Sequence, residues 1–118
     1  AGSPTNLRIL QADLEDDPWP LPGQHFGAVV VVNYLWRALL PTLFAAIAPG
    51  GLLLYETFGV GNERYGRPRN PDYLLREGEL QAATPSDFEI LECAHGPVGA
   101  PPTAVRQRLL AKRSHRPG

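Results

Sequence analysis

Cysteine is nearly missing from this sequence and methionine is missing altogether: 118 residues hold one Cys and no Met. A lone Cys93 can form no intramolecular disulfide, which excludes a disulfide scaffold and a cysteine-rich metal site. An excess of charge is missing too. Eleven Lys and Arg against 12 Asp and Glu leave a formal net charge of −1, and so no broad basic field for nucleic acid or anionic lipid. No apolar run approaches the ~20 residues of a membrane-spanning helix, and no stretch reads as a signal peptide. The expectation is a soluble cytoplasmic protein with neither a nucleic-acid nor a membrane partner. His25, His95 and His115 are scattered, which indicates neither a metal site nor a catalytic triad. There is no G-x-S-x-G elbow. Gly59-Val60-Gly61 is a lone G-x-G with no helix after it, a hinge or turn rather than a phosphate cradle.

What is present is the composition of one globular domain spanning residues 1–118, 43% hydrophobic and 19% charged. Thirteen Pro and 12 Gly punctuate the apolar segments. The start Ala1-Gly2-Ser3-Pro4 suits either a removed initiator Met or a cut inside a longer gene. A weakly alternating stretch, Asn6 to Ala12, reads as a short strand ending at Asp13-Leu14. Glu15 to Gln24 holds three prolines and reads as a loop. Phe26 to Val32 is a continuous β-branched run, the mark of a strand covered on both faces in a parallel sheet. Trp36 to Ala48 is apolar and rich in Ala and Leu, and Pro41 fits the first helical residue of a short helix, PTLFAAIA. Pro49 and Gly50 fit the centre of a type II turn, and Leu52 to Tyr55 reads as a second doubly buried strand.

Strand, helix, turn and strand make a βαβ unit. Ligands of open parallel sheets lie beyond the carboxyl ends of the strands. Asn33-Tyr34 and Glu56-Thr57 therefore stand together on the ligand edge, with Asp13-Leu14 as a third polar strand end. Residues 59–75 follow as a long connector carrying Asn62, Glu63, Arg64, Tyr65, Arg67 and Arg69, a candidate lid or substrate loop. Glu77 to Ala83 reads as a short helix. Phe88 to Cys93 and Ala104 to Lys112 read as strands able to pair antiparallel across HGPVGAPPT.

These pieces in this order resemble the C-terminal two thirds of a class I S-adenosylmethionine-dependent methyltransferase. The resemblance is carried by Asp13-Leu14, Leu21-Pro22, Phe26, the valine strand ending Asn33-Tyr34-Leu35, Leu43, Ala48-Pro49-Gly50-Gly51 and a strand ending in Glu56. It covers roughly residues 7–112 and implies an α/β, Rossmann-like sheet, mostly parallel with a final antiparallel strand. It implies S-adenosylmethionine as cofactor and methyl transfer to a small-molecule acceptor. Asp13 matches the residue that accepts from the adenine amino group, and Leu14 supplies a neighbouring backbone N–H. Asn33 and Tyr34 match the strand end beside the methionine moiety and the reacting methyl, and Leu35 and Trp36 would wall the pocket. Glu56, with Tyr34, is the candidate catalytic group where an acceptor needs deprotonation. Trp36, Glu56, Asn62, Arg64 and Arg67 are the candidate acceptor contacts. Gly27 stands where the family commonly has Asp.

The plainer readings make Asp13 a loop cap, Asn33 a turn residue and the arginines a solvated face. The family's first strand, glycine-rich loop and second strand all belong before residue 7. At ~30 residues per βαβ unit, roughly 50 to 80 residues are wanting. Without those strands the first strand here is expected to have no neighbour. The valine strand then shows an open apolar edge that invites a homodimer or strand exchange. The competing reading is a non-catalytic methyltransferase-like module acting in oligomerisation or partner binding.

Overall fold

The computed structural model describes the backbone of residues 7–11 and the whole of residues 25–115; Asp13 and Leu14 lie outside the described residues. Strand β1 (Leu7–Gln11) runs parallel to β2 (Phe26–Val32), with Leu7 opposite Ala28 and Gln11 opposite Val32. The valines of β2 favour this pleated backbone because branching at Cβ restricts χ1. A 3-10 turn at Arg37–Leu39 leads into helix α1 (Leu40–Ala45), where Pro41 sits in the first turn and its missing N–H leaves nothing unpaired. The helix is shorter than the sequence suggests because Ile47 already pairs with Phe26 as strand β3 (Ile47–Phe58) begins. The Pro49-Gly50 corner survives as a bulge inside β3. Between the pairs Phe26–Ile47 and Ala28–Leu52, Gly27 alone faces residues 48–51. Gly50 takes φ 81°, the left-handed value a type II turn requires.

Helix α2 (Glu79–Ala83) and the antiparallel pair β4 (Phe88–Val98) and β5 (Ala104–Arg113) complete the chain. The five-stranded sheet has the order β1-β2-β3-β5-β4. Two sequence expectations are corrected here. The sheet is not mostly parallel: β5 opposes all the others, and because it inserts between β3 and β4, two of the four pairings are antiparallel and hold the longer ladders. Nor does the first strand lack a neighbour. β1 lies along β2, so the valine strand is an interior strand and the edge moves outward to β1. At the other edge β4 continues past Cys93 through Pro97, which an edge strand tolerates because one row of its N–H groups has no ladder partner.

The core lies on one face of the sheet. Val29, Val31, Leu53, Tyr55, Leu109 and Ala111 are at most 1% exposed there, packed with Leu43 and Phe44 of α1 and Leu80 of α2. Phe44 meets the edge of the Phe88 ring at 5.1 Å between centroids. Each fully buried aliphatic side chain contributes about 1.5–3 kcal/mol. The alternate residues Val30, Val32, Leu54 and Leu110 are only half-buried, and Leu52 is exposed. The double cover expected from the continuous apolar runs is therefore present on one side alone among the described residues.

Candidate ligand site at the strand ends

The carboxyl ends of β2 and β3 open into a cleft of about 360 Å³ lined by Asn33, Tyr34, Leu35, Thr57, Phe58, Pro68 and Tyr73. That is the lower end of the small-molecule range, about 300–1,000 Å³. Asn33 leaves the strand with φ 56°, a left-handed conformation that asparagine tolerates better than most side chains. Its N–H donates to the Glu56 carbonyl at 3.0 Å, which carries the β2–β3 ladder one step beyond the strand. One residue on, the Tyr34 carbonyl accepts from the Tyr55 hydroxyl at 2.6 Å. Tyr55 is fully buried, and burial pushes its phenol far above the ordinary range, so it remains a neutral donor holding the cleft wall.

Glu56 is not a free carboxylate. Arg106 Nε donates to its Oε2 at 2.7 Å and Arg108 Nη1 to its Oε1 at 3.4 Å. Arg106 also donates from Nη2 to Asn33 Oδ1 at 2.7 Å and lies 4.7 Å from the Phe58 ring centroid. Two strand ends and β5 are thus knitted into one ring of contacts: Asn33 N–H to Glu56 carbonyl, Glu56 carboxylate to Arg106, Arg106 to Asn33 side chain. The sequence reading missed Arg106. The signal that would have found it is the alternation of β5, where Val105, Gln107, Leu109 and Ala111 are buried and Arg106 and Arg108 point to the opposite face with Glu56 and Phe58.

The 59–75 connector is a pinned loop that brings Pro68 and Tyr73 over the cleft. Its base is closed by a bridge between Gly59 and Leu75, with Val60 N–H donating to the Leu75 carbonyl and Leu75 N–H to the Phe58 carbonyl. Asn62, expected to contact acceptor, is instead 1% exposed inside the loop: its Nδ2 donates to the Pro68 carbonyl and its Oδ1 accepts from Val105 N–H, both at 3.0 Å. The far end is held by Arg37, which donates to the Leu74 carbonyl at 2.7 Å, to the Asp72 carbonyl at 3.0 Å and to the Glu79 carboxylate. Behind the base, the Gln107 amide donates to the Arg76 carbonyl and to His95 Nδ1, while its oxygen accepts from Leu80 N–H. His95 Nε2 consequently donates to the Val60 carbonyl, and its ring fills the space that a Cβ on Gly59 would occupy.

Of the residues singled out from sequence, Asn33, Tyr34 and Leu35 line the cleft, and Glu56 stands behind it. Trp36 is 57% exposed and lies outside the lining, and Arg64 and Arg67 are exposed on the loop. Among the described residues no three His, Cys, Asp or Glu side chains gather as a metal site, and no helix is long and apolar enough to cross a membrane.

No family model and no curated relative matches the sequence. Solved structures do match. N-methyltransferase NodS from Bradyrhizobium japonicum WM9 superposes with a TM-score of 0.58 at 14% identity, over 81% of this chain and 55% of its own. TehB from Haemophilus influenzae gives 0.57 at 16% identity, over 77% and 36%. A protein studied for the conversion of a disulfide bond into a thioacetal group during echinomycin biosynthesis gives 0.54 at 10% identity, over 80% and 52%. The fold is that of the class I methyltransferases. In this methyltransferase fold the chain spans between about a third and just over half the length of the solved proteins it matches.

Proposed function

We propose that the chain serves S-adenosylmethionine-dependent methyl transfer to a small-molecule acceptor, with the reacting groups meeting in the cleft at the ends of β2 and β3. The observation that carries this reading is the lining of that cleft. Tyr34, Leu35, Phe58 and Tyr73 offer ring and alkyl surface, Asn33 and Thr57 offer polar atoms, and among the described residues no charged side chain lines the cleft. That set fits the sulfonium of the cofactor, since aromatic faces favour a cation and no lining ammonium or guanidinium among the described residues opposes one.

When bound, S-adenosylmethionine supplies a methyl group already activated on a sulfonium, so the protein has mainly to align the partners and exclude water. Leu35 and Phe58 exclude water, and Asn33 is held rigid by Arg106 and by the Glu56 carbonyl. With both carboxylate oxygens engaged by guanidinium groups, Glu56 orients Arg106 rather than taking a proton. Tyr34, in the lining, remains the candidate for proton handling where the acceptor demands it. Pro68 and Tyr73 place the pinned loop over the acceptor side, the role proposed for the 59–75 segment as a whole.

The experiment is a calorimetric titration of S-adenosylhomocysteine into the 118-residue chain and its Leu35→Asp variant. Saturable one-site binding that weakens at least tenfold in the variant is expected. Binding indifferent to Leu35 would move the cofactor elsewhere and end this reading of the cleft.

A further inference from the structure

Beside Asn33 and Phe58 stands a guanidinium whose hydrogen-bonding capacity is only partly used. Arginine carries five N–H donors in a fixed plane. In Arg106 the Nε donor goes to Glu56 and one Nη2 donor goes to Asn33. The two N–H groups of Nη1 and the second of Nη2 have no protein partner among the described residues. Both donors of Nη1 are among those three, at the end of the guanidinium where an oxygen of a carboxylate can approach. The side chain is only 16% exposed, so water satisfies these donors poorly. Glu56, Asn33 and the Phe58 ring fix the plane of the fork in advance, which lowers the ordering cost of binding.

The neighbouring charges are paired with one another. Glu56 stands against two cations, Arg106 and Arg108. The balancing carboxylate, Glu92, pairs with Arg108 at 2.9 Å from β4, on the side of β5 away from the cleft. Two guanidinium groups and two carboxylates therefore balance across β3, β5 and β4, and the site rests on the unused donors of Arg106 rather than on net charge.

We propose that Arg106 forms a carboxylate-binding site at the rim of the cleft. The site rests on the methyl-transfer reading only for the source of its ligand, which is either the amino-acid end of the cofactor or a carboxylate carried by the acceptor. Lysine cannot replace it, because a single ammonium group can hold Glu56 or Asn33 but cannot present a parallel pair of donors besides.

The test compares the 118-residue chain with its Arg106→Lys variant. Three probes are used: S-adenosylhomocysteine, methylthioadenosine, which lacks the amino-acid end, and sodium benzoate. Affinities come from calorimetry, and benzoate is also followed by the amide resonances of Asn33 and Phe58. With the carboxylate supplied by the cofactor, Arg106→Lys weakens S-adenosylhomocysteine about tenfold and leaves methylthioadenosine unchanged. With the carboxylate supplied by the acceptor, both nucleosides bind as before and the benzoate shifts at Asn33 and Phe58 are lost. Benzoate binding that depends on Arg106 while neither nucleoside binds would remove the methyl-transfer reading and leave the carboxylate site standing. Indifference of all three probes to the substitution overturns the site. If Arg106→Lys does not fold, Glu56→Gln decides instead: loss of the competing negative charge tightens benzoate about threefold, and unchanged or weaker binding overturns the proposal.

Discussion

Asn62 shows how far a single residue can be read from sequence. Its place in a polar, arginine-rich connector suggests contact with a substrate, yet both ends of its amide are occupied by backbone, Pro68 on one side and Val105 on the other. Sequence spacing could not reveal this, because Val105 lies 43 residues away and becomes a neighbour only when β5 enters the sheet. Asn33 was legible for the opposite reason: its position depends only on where a strongly marked apolar run stops. Replacing Asn62 by alanine leaves a half-buried carbonyl and a buried N–H unpaired, each worth up to about 1–3 kcal/mol. Asn62→Ala is therefore expected to lower the urea-unfolding free energy by about 2–4 kcal/mol. A variant as stable as the parent would remove the loop-pin role and return Asn62 to the list of candidate ligand contacts.

At the scale of elements, the strands were more legible than the connections between them. The valine run fixed β2 to the residue, since a continuous β-branched segment has few other ways to fold, whereas β4 ran five residues past its expected end at Cys93 because Gly96 and Pro97 look like a turn until the strand is known to lie at an edge. The loop clamp built on Arg37 and Glu79 joins segments 42 residues apart and leaves no local pattern at all. It does leave a pH signature. Burial pushes the Glu79 carboxyl upward, but hydrogen bonds from Arg37 and from Arg76 N–H and the Arg37 charge outweigh it, and the net shift is below the ordinary glutamate range. A carboxyl lowered in the folded state adds stability above its unfolded value, about 4.3, and loses that contribution as pH falls through the folded value. Because Arg37 is 35% exposed, solvent limits the contribution to about 1 kcal/mol. In urea titrations from pH 6 to pH 3, Glu79→Gln is expected to be the less stable protein at pH 6, with the gap closing as the medium becomes more acid than pH 4. A gap independent of pH would assign the loss to packing rather than to the ion pair.

For the whole molecule, the main difference between sequence and structure is the sheet face that no described residue fully covers. Continuous apolar runs in β2 and β3 read as strands with cover on both sides, and the parity of the burial shows cover on one: Leu53 is fully buried while its neighbour Leu54, on the other face, is half-buried. The matching solved structures are about twice to three times as long as the part this chain superposes on. A pair of truncations measures the state of this chain in solution. Leu53→Ala removes a core side chain and is expected to cost about 3 kcal/mol. Leu54→Ala, made at a site with little to lose, is expected to cost under about 1 kcal/mol, with no dependence on protein concentration. Should Leu54→Ala prove as costly as Leu53→Ala, with the cost growing as the protein is concentrated, a second copy covers the face, because only an intermolecular contact makes the energy of a half-exposed leucine depend on concentration.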